Sequence, residues 1–311
     1  VGRTKFIAVL LLFLGACSTA QLNFPSSWQS SLRTDHPLVG AIWDSQQNQF
    51  IGSVDLLTRL EKVSYLLLGE KHDNPDHHAL QQSMLNYFID GDKLSRVSFE
   101  MIDSGQQVLL DTLSKQQLGS LEAINNHLEW NNEGWNWAFY GPLLQSALSA
   151  DVDVMAANIS DEEVKQIYAD PTPFELATIL NEQAMVTLEK GIDESHCGLL
   201  PESQFPAMVR VQQARDYAMA ESLSMSNVDK IQILIAGNYH IRHDQGVPLY
   251  LLSKHVGLQK QEIATLAFME VSPEADDPAE YLQQFGDVKA YDYIWFTPAI
   301  SDEDYCALLR Q

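Results

Sequence analysis

Residues 65–75 read Tyr-Leu-Leu-Leu-Gly-Glu-Lys-His-Asp-Asn-Pro, a fully apolar run that stops at Gly-Glu-x-His and then meets a proline. A short run with no polar alternation is a strand buried on both faces, which only a covered, mainly parallel sheet provides. Pro75 suits a first helical turn, so strand passes to helix within a few residues. A carboxylate (Glu70) and an imidazole (His72) then sit at the carboxyl end of a buried strand, where open α/β sheets place their ligand sites.

The same punctuation recurs along the chain. Strands are expected at 63–68, 96–101, 153–157, 231–236, 264–271 and 293–296, with a hairpin over 39–52. Helices are expected at 55–61, 75–89, 118–130, 137–148, 160–169, 173–190, 205–226, 247–255 and 278–285. This alternation predicts an α/β fold, a mainly parallel sheet flanked by helices, with a helical subdomain at roughly 102–150 and 173–226. The 311 residues suit one large domain, expected over 35–311.

The net charge of −23 argues against nucleic acid as a partner, because phosphate binding needs clustered Lys and Arg. At the N-terminus, Arg3 and Lys5 precede a continuously apolar Phe6 to Leu14, which has the build of a secretory signal. It ends in Leu14-Gly15-Ala16-Cys17, which resembles a bacterial lipobox. The expectation is a signal peptide over 1–16, lipid on the sulfur of Cys17, and a polar tether over 17–34. Cys197 and Cys306 remain, an even pair in an exported setting, either disulfide-bonded or free. A bridge would close a loop of roughly a hundred residues and stabilise on the order of 4 kcal/mol in the chain-entropy account.

Three apolar strands end in groups that bind or catalyse: Glu70 with His72, then Glu100, then His240 with Arg242. Parallel pairing would gather these ends at one edge. Glu70 and His72 are metal-ligand types, and are equally a general base and its orienting partner. They lack the helical His-Glu-x-x-His spacing of metalloproteases. Strand-end acids also cap helices, which is the structural alternative. His196 lies in a loop after the second helical stretch, and Arg215 and Asp216 lie in the helix leading to the 231–236 strand. His77 and His78 open a helix and read as surface groups, with His78 alternatively turned back toward the sheet edge, and His243 reads as a surface or capping residue. Trp130, Trp135 and Trp137 put half of the six tryptophans into one stretch with Tyr140. That stretch is either helical core or a flat apolar surface for a planar ligand. Tyr and His both ligate haem iron, which makes Tyr140 and His127 candidates.

Together these segments resemble the ChaN-like haem-binding lipoproteins of the superfamily that includes Tiki, TraB and erythromycin-esterase-like proteins. The matching pieces are Leu68 to Asn74, Gly134-Trp135 through Tyr140-x-Pro142, and Ser195-His196-Cys197-Gly198. Arg215 to Ala220, Ala236 to Arg242 with Gly246-Val247-Pro248, and Trp295-Phe296-Thr297-Pro298 complete the set. The resemblance implies an outer-membrane lipoprotein facing the periplasm, serving iron or haem acquisition, with an outer-membrane haem receptor as a partner. It implies haem held at a homodimer interface by tyrosine. The motif singles out none of the 11 tyrosines, and Tyr140 leads because it lies in the matching aromatic segment. Near residue 240 the motif usually reads Gly-x-Gly-His, whereas Tyr239 here replaces the second glycine with a bulky phenol. The alternative function is a hydrolase at the Glu70/His72 edge, with Glu100 and His240 and possibly a divalent metal held by Glu70, His72 and His196.

Overall fold

The computed structural model describes residues 24–170, 179–223, 230–283 and 289–309. The signal peptide, the lipid site Cys17, the start of the helix expected from Pro173 and the end of the one expected to Ser226 lie outside these residues. Eight strands form one sheet: β1 (Ile42–Asp44), β2 (Gln49–Ile51), β3 (Tyr65–Glu70), β4 (Leu94–Asp103), β5 (Asp153–Asn158), β6 (Ile231–Gly237), β7 (Ile263–Glu270) and β8 (Tyr293–Thr297). Their order is β2-β1-β8-β7-β3-β6-β4-β5. The pairs from β8 through to β5 are parallel, and only the β1–β2 hairpin joins antiparallel, through β1–β8.

The central strands feed two cores by alternation. Leu66 and Leu68 of β3 face one core, and Tyr65 and Leu67 face the other. The first core is closed by α1 (Ser53–Leu60), α2 (Pro75–Asp90), α4 (Leu121–His127) and α5 (Trp137–Ser149). The second is closed by α7 (Glu182–Ser195), α8 (Phe205–Ser222) and α9 (Val247–Lys254). Burial on both faces explains why these strands carry uninterrupted apolar runs. The helical stretches of the sequence therefore lie on opposite faces of the sheet. The remaining helices are α3 (Gln107–Asp111), α6 (Asp161–Ala169), α10 (Pro278–Gln283) and α11 (Tyr305–Leu309). No helix among the described residues is long and apolar enough to cross a membrane.

Local chemistry fixes the key turns. Asn74 caps α2, its side chain accepting from the N–H groups of Asp76 (2.9 Å) and His77 (3.3 Å), with Pro75 in the first turn. At the β5 edge, Gln107 of α3 stands in for a further strand. Its Oε1 accepts from Ala156 N (2.7 Å) and its Nε2 donates to Val154 O (3.3 Å), which blunts an edge otherwise open to pairing.

The expected tether over 17–34 is corrected at its C-terminal end. Phe24 packs edge-on against Trp295, and the Asp76 carboxylate accepts from Gln29 N and Ser30 N at 2.8 Å each. Leu32 pairs with Ala299. An apolar ring and buried backbone bonds hold this stretch to the domain despite its polar composition. Cys197 and Cys306 form a disulfide, with Cα atoms 5.2 Å apart.

Candidate functional site at the sheet edge

Glu70 is the last residue of β3 and is buried. Its Oε1 lies 2.7 Å from His72 Nδ1 and accepts the Tyr140 hydroxyl at 2.9 Å. The other oxygen, 4.0 Å from His78 Nε2, accepts no hydrogen bond among the described residues. Edge-on to Trp135 at 4.8 Å, the His72 ring is 44% exposed. Burial opposes its charge, but the Glu70 carboxylate prevails and pushes its pKa up to about 9.

This placement corrects the haem assignment of Tyr140. The residue has no exposed surface, and its oxygen is committed to Glu70. Burial, then Glu70, pushes its hydroxyl far above the ordinary phenol range, so it stays a protonated donor. It belongs to the carboxylate's support and not to an iron-binding surface. His127 is likewise occupied: Nε2 lies 2.9 Å from Leu109 O and 3.1 Å from Thr112 Oγ1, and Nδ1 lies 2.8 Å from the Gln117 amide. Tyr140→Phe removes one charge-assisted bond to Glu70 and is expected to lower stability by about 1.5–3 kcal/mol. Urea unfolding measures this.

A second acid–imidazole unit lies beside the first. Glu100, from β4, accepts the Gly237 N–H at 2.7 Å and lies 3.3 Å from His240 Nε2. Asp216 of α8 holds the other side of that ring, 2.5 Å from Nδ1. Burial opposes charge on His240, but Glu100 and Asp216 push its pKa up to about 10. Burial would raise Glu100, yet His240, His72 and the Gly237 N–H hold it far below the carboxylate range. Asp216 is raised to about 6, chiefly by burial, against the pull of His240. The two units meet over Gly237. A Cβ there would lie 3.0 Å from His72 Cε1, 3.1 Å from His72 Nε2 and 3.6 Å from Glu100 Oε2. A side chain at 237 would push the imidazole away.

These shifts give stability a pH signature. A histidine raised on folding contributes fully below its unfolded pKa near 6.5 and loses that contribution as pH climbs through the folded value. His72 and His240 place the loss between about pH 6.5 and 10. The decline is expected to be on the order of a few kcal/mol, mostly from buried His240, because exposed His72 is screened. Urea midpoints at pH 6.5 and 9.5 measure it.

The units form the floor of a cleft of about 530 Å³. One wall is α7, through Leu188, Gly191, Ile192 and Ser195, and the mouth carries Tyr239. That ring is 45% exposed and lies against α7, where a Cβ at Gly191 would sit 3.5 Å from Tyr239 Cε1. Arg242 is buried, forked onto Asp244, and lies 6.0 Å from the Tyr239 ring centroid.

Glu70, His72, Glu100 and His240 thus share one edge, as parallel pairing of their strands requires. Arg215 turns to Asn158 Oδ1 (3.3 Å), outside the cleft lining. His196 caps the end of α7 through Ile192 O (2.7 Å) and does not join Glu70 and His72. Among the described residues no group of three or more His, Cys, Asp or Glu side chains is arranged to hold a metal ion. Three histidines read as surface or capping groups are buried. His77 accepts the Lys71 N–H and contacts Thr297 Oγ1, both at 2.9 Å. His78 stacks on Phe139 and lies 3.1 Å from His72 O, while His243 lies 2.7 Å from Asp292.

An apolar-walled cleft outside the carboxyl ends of parallel strands, floored by paired acids and imidazoles, defines a ligand-binding α/β protein. The comparisons give the family. Residues 56–251 match the family described as "Haem-binding uptake, Tiki superfamily, ChaN", and the chain belongs to that haem-binding family. Among solved structures it is similar to ChaN of Campylobacter jejuni, described for cofacial haem binding. The likeness has 25% identity and a TM-score of 0.66, covering 82% of this chain and 95% of that one. A weaker likeness is to a mutant erythromycin esterase EreC in its open conformation, at 14% identity and a TM-score of 0.41, covering 70% of this chain and 73% of that one. No curated protein matches.

The residues present fit a haem. The cleft volume falls within the roughly 300–1,000 Å³ usual for small-molecule and cofactor sites. Leu188, Gly191 and Ile192 offer an apolar wall, and tyrosine oxygen is a recognised iron ligand. Tyr239 is the tyrosine that lines the cleft, whereas Tyr65, Tyr140, Tyr250 and Tyr291 are fully buried. In the sequence Tyr239 stands only as a departure from the motif, with no role attached to it. That departure was the available signal.

Proposed function

We propose that this protein binds haem in the sheet-edge cleft, with the Tyr239 oxygen on the iron, and serves haem or iron acquisition at the bacterial cell envelope. The observation that carries this reading is the half-exposed Tyr239 phenol at the mouth of an apolar-walled cleft in a chain of a haem-binding family. Leu188, Gly191 and Ile192 would hold the haem by apolar contact, and the Tyr239 oxygen would be the group that binds its iron. The iron brings Lewis acidity and its colour. The chain positions, shields and releases it.

Envelope attachment through lipid on Cys17 is supported by the lipobox-like Leu14-Gly15-Ala16-Cys17. Pairing of two copies over the cleft is supported by the cofacial haem binding described for the Campylobacter jejuni relative. An outer-membrane receptor is the partner such a carrier requires. Ferric hemin added to the soluble domain is expected to bind one per chain and to shift the protein toward a dimer in sedimentation. Stoichiometric hemin giving no Soret band would remove the reading.

One observation favours a second reading, hydrolysis at the same edge. The His72 ring is half-exposed at the cleft floor while Glu70 fixes its Nδ1, the arrangement of an oriented acid–base imidazole. Glu100 and His240 would complete that site. An ester and peptide panel tests it, and turnover unchanged in a Glu70→Ala, His72→Ala double variant excludes these residues.

A further inference from the structure

The cleft has two rims, and one segment of chain reaches both. The β3 rim continues into Lys71 and Asn74. Asn74 Nδ2 donates to Pro298 O (3.1 Å) and to Glu270 Oε1 (2.8 Å), and the same Glu270 oxygen accepts from Ile300 N (3.1 Å) and lies 3.4 Å from Lys71 Nζ. This end of the segment is held further by Leu32, which exchanges backbone bonds with Ala299 at 3.2 and 3.0 Å, and by an Arg33–Asp302 ion pair. Residues 297–306 then run from this anchorage to Cys306, whose sulfur is bonded to Cys197. Cys197 follows two residues after Ser195, the last residue of α7 and part of the opposite cleft wall.

Among the described residues α7 is otherwise held by a short row of buried side chains against α8 and the second core. Three of its 14 residues are buried (Ala184, Leu188 and Ile192), against eight of 16 in α2. Leu188 and Ile192 are also cleft lining, so part of this packing borders the space a ligand fills. A helix held by few buried contacts opens locally at lower cost than the rest of its domain. Cys197 is buried, whereas Cys306 is half-buried in a segment where Tyr305 and its neighbours are exposed, so the solvent side of the bridge is the Cys306 side.

We propose that residues 297–306 form a redox-controlled strap: closed by the Cys197–Cys306 disulfide it fixes α7 against the β3 rim and retains the haem, and reduced it frees the wall and lets the haem go. The exchange balances with an external dithiol. Its thiolate attacks one sulfur, the Sγ–Sγ bond breaks, two protein thiols form, and the dithiol closes to its own disulfide. The inference rests on haem occupying this cleft, and its test separates the two.

Three samples are compared: the oxidised protein, the protein reduced by a phosphine and capped with iodoacetamide, and Cys306→Ser. Hemin loss to excess apomyoglobin is timed, and amide exchange is followed in α7 and α2. Opening the strap is expected to speed hemin loss at least tenfold and α7 exchange by a similar factor, with α2 unchanged. Hemin loss within twofold of the oxidised protein overturns the strap. So does exchange rising equally in α2, which is global unfolding. Oxidised protein that takes up no hemin overturns the haem reading instead, and unchanged α7 exchange then decides against the strap independently.

Discussion

Tyr239→Phe is expected to weaken ferric hemin binding by about a hundredfold or more, since losing a ligand exceeds the 10–100-fold cost of losing a ligand's supporting bond. The visible charge-transfer band of an oxygen-bound ferric haem should vanish with it. The substitution keeps the ring against α7 and removes one oxygen. Tyr239 as a residue is 45% exposed, so it has little part in the core. Tyr140→Phe separates the readings. It should cost stability and leave the charge-transfer band in place, because its oxygen is buried against Glu70. The opposite pattern, with the band lost in Tyr140→Phe and kept in Tyr239→Phe, would return the iron to the aromatic helices. Absorbance titration of the two variants beside wild type gives both affinities and spectra.

The largest loss of stability is expected from Asp216→Ala, at about 3–5 kcal/mol, the cost of leaving a buried charge without one of its partners. His240 lies between Asp216 and Glu100 and is protonated across the neutral range. Removing Asp216 strands that charge against one carboxylate in a largely buried position at the cleft floor, and the ring loses the bond that orients it there. Asp216→Asn keeps a hydrogen-bond acceptor without the charge and should cost less. Guanidinium unfolding reads both, with a lower midpoint and an unchanged slope. Because the alanine variant lowers the His240 pKa, its stability should fall less between pH 6.5 and 10 than that of wild type.

Much of this arrangement was legible before any coordinates. The apolar runs ending in Glu70, Glu100 and Gly237 declare buried parallel strands, and parallel strands bring their carboxyl ends together. Glu70, His72, Glu100 and His240 follow from that topology alone. Tyr140 did not, because its meaning depends on how α5 packs on α2 and β5 to bring the hydroxyl to Glu70, and no local pattern encodes that packing. His77 and His78 look like a solvated helix start. They are buried because the loop from β3 folds back on the first turn of α2, so that Lys71 N–H and His72 O become their partners. Asp216 sits within a helical pattern, and only the packing of α8 against β4 and β5 turns it toward His240. Residues 24–34 read as a tether by composition, whereas two backbone bonds to Asp76 and the Phe24–Trp295 contact join them to the domain. In each case the sequence carries the residue type, and the neighbour that gives it a role comes from a distant segment.

The central claim is that a cleft tyrosine holds the iron. The most direct measurement is the resonance Raman spectrum of the ferric hemin complex, excited in its charge-transfer band. Enhanced phenolate modes are expected in wild type, moving when tyrosine is ring-deuterated and absent in Tyr239→Phe. A wild-type complex without phenolate modes, or the same modes persisting in Tyr239→Phe, would contradict that claim.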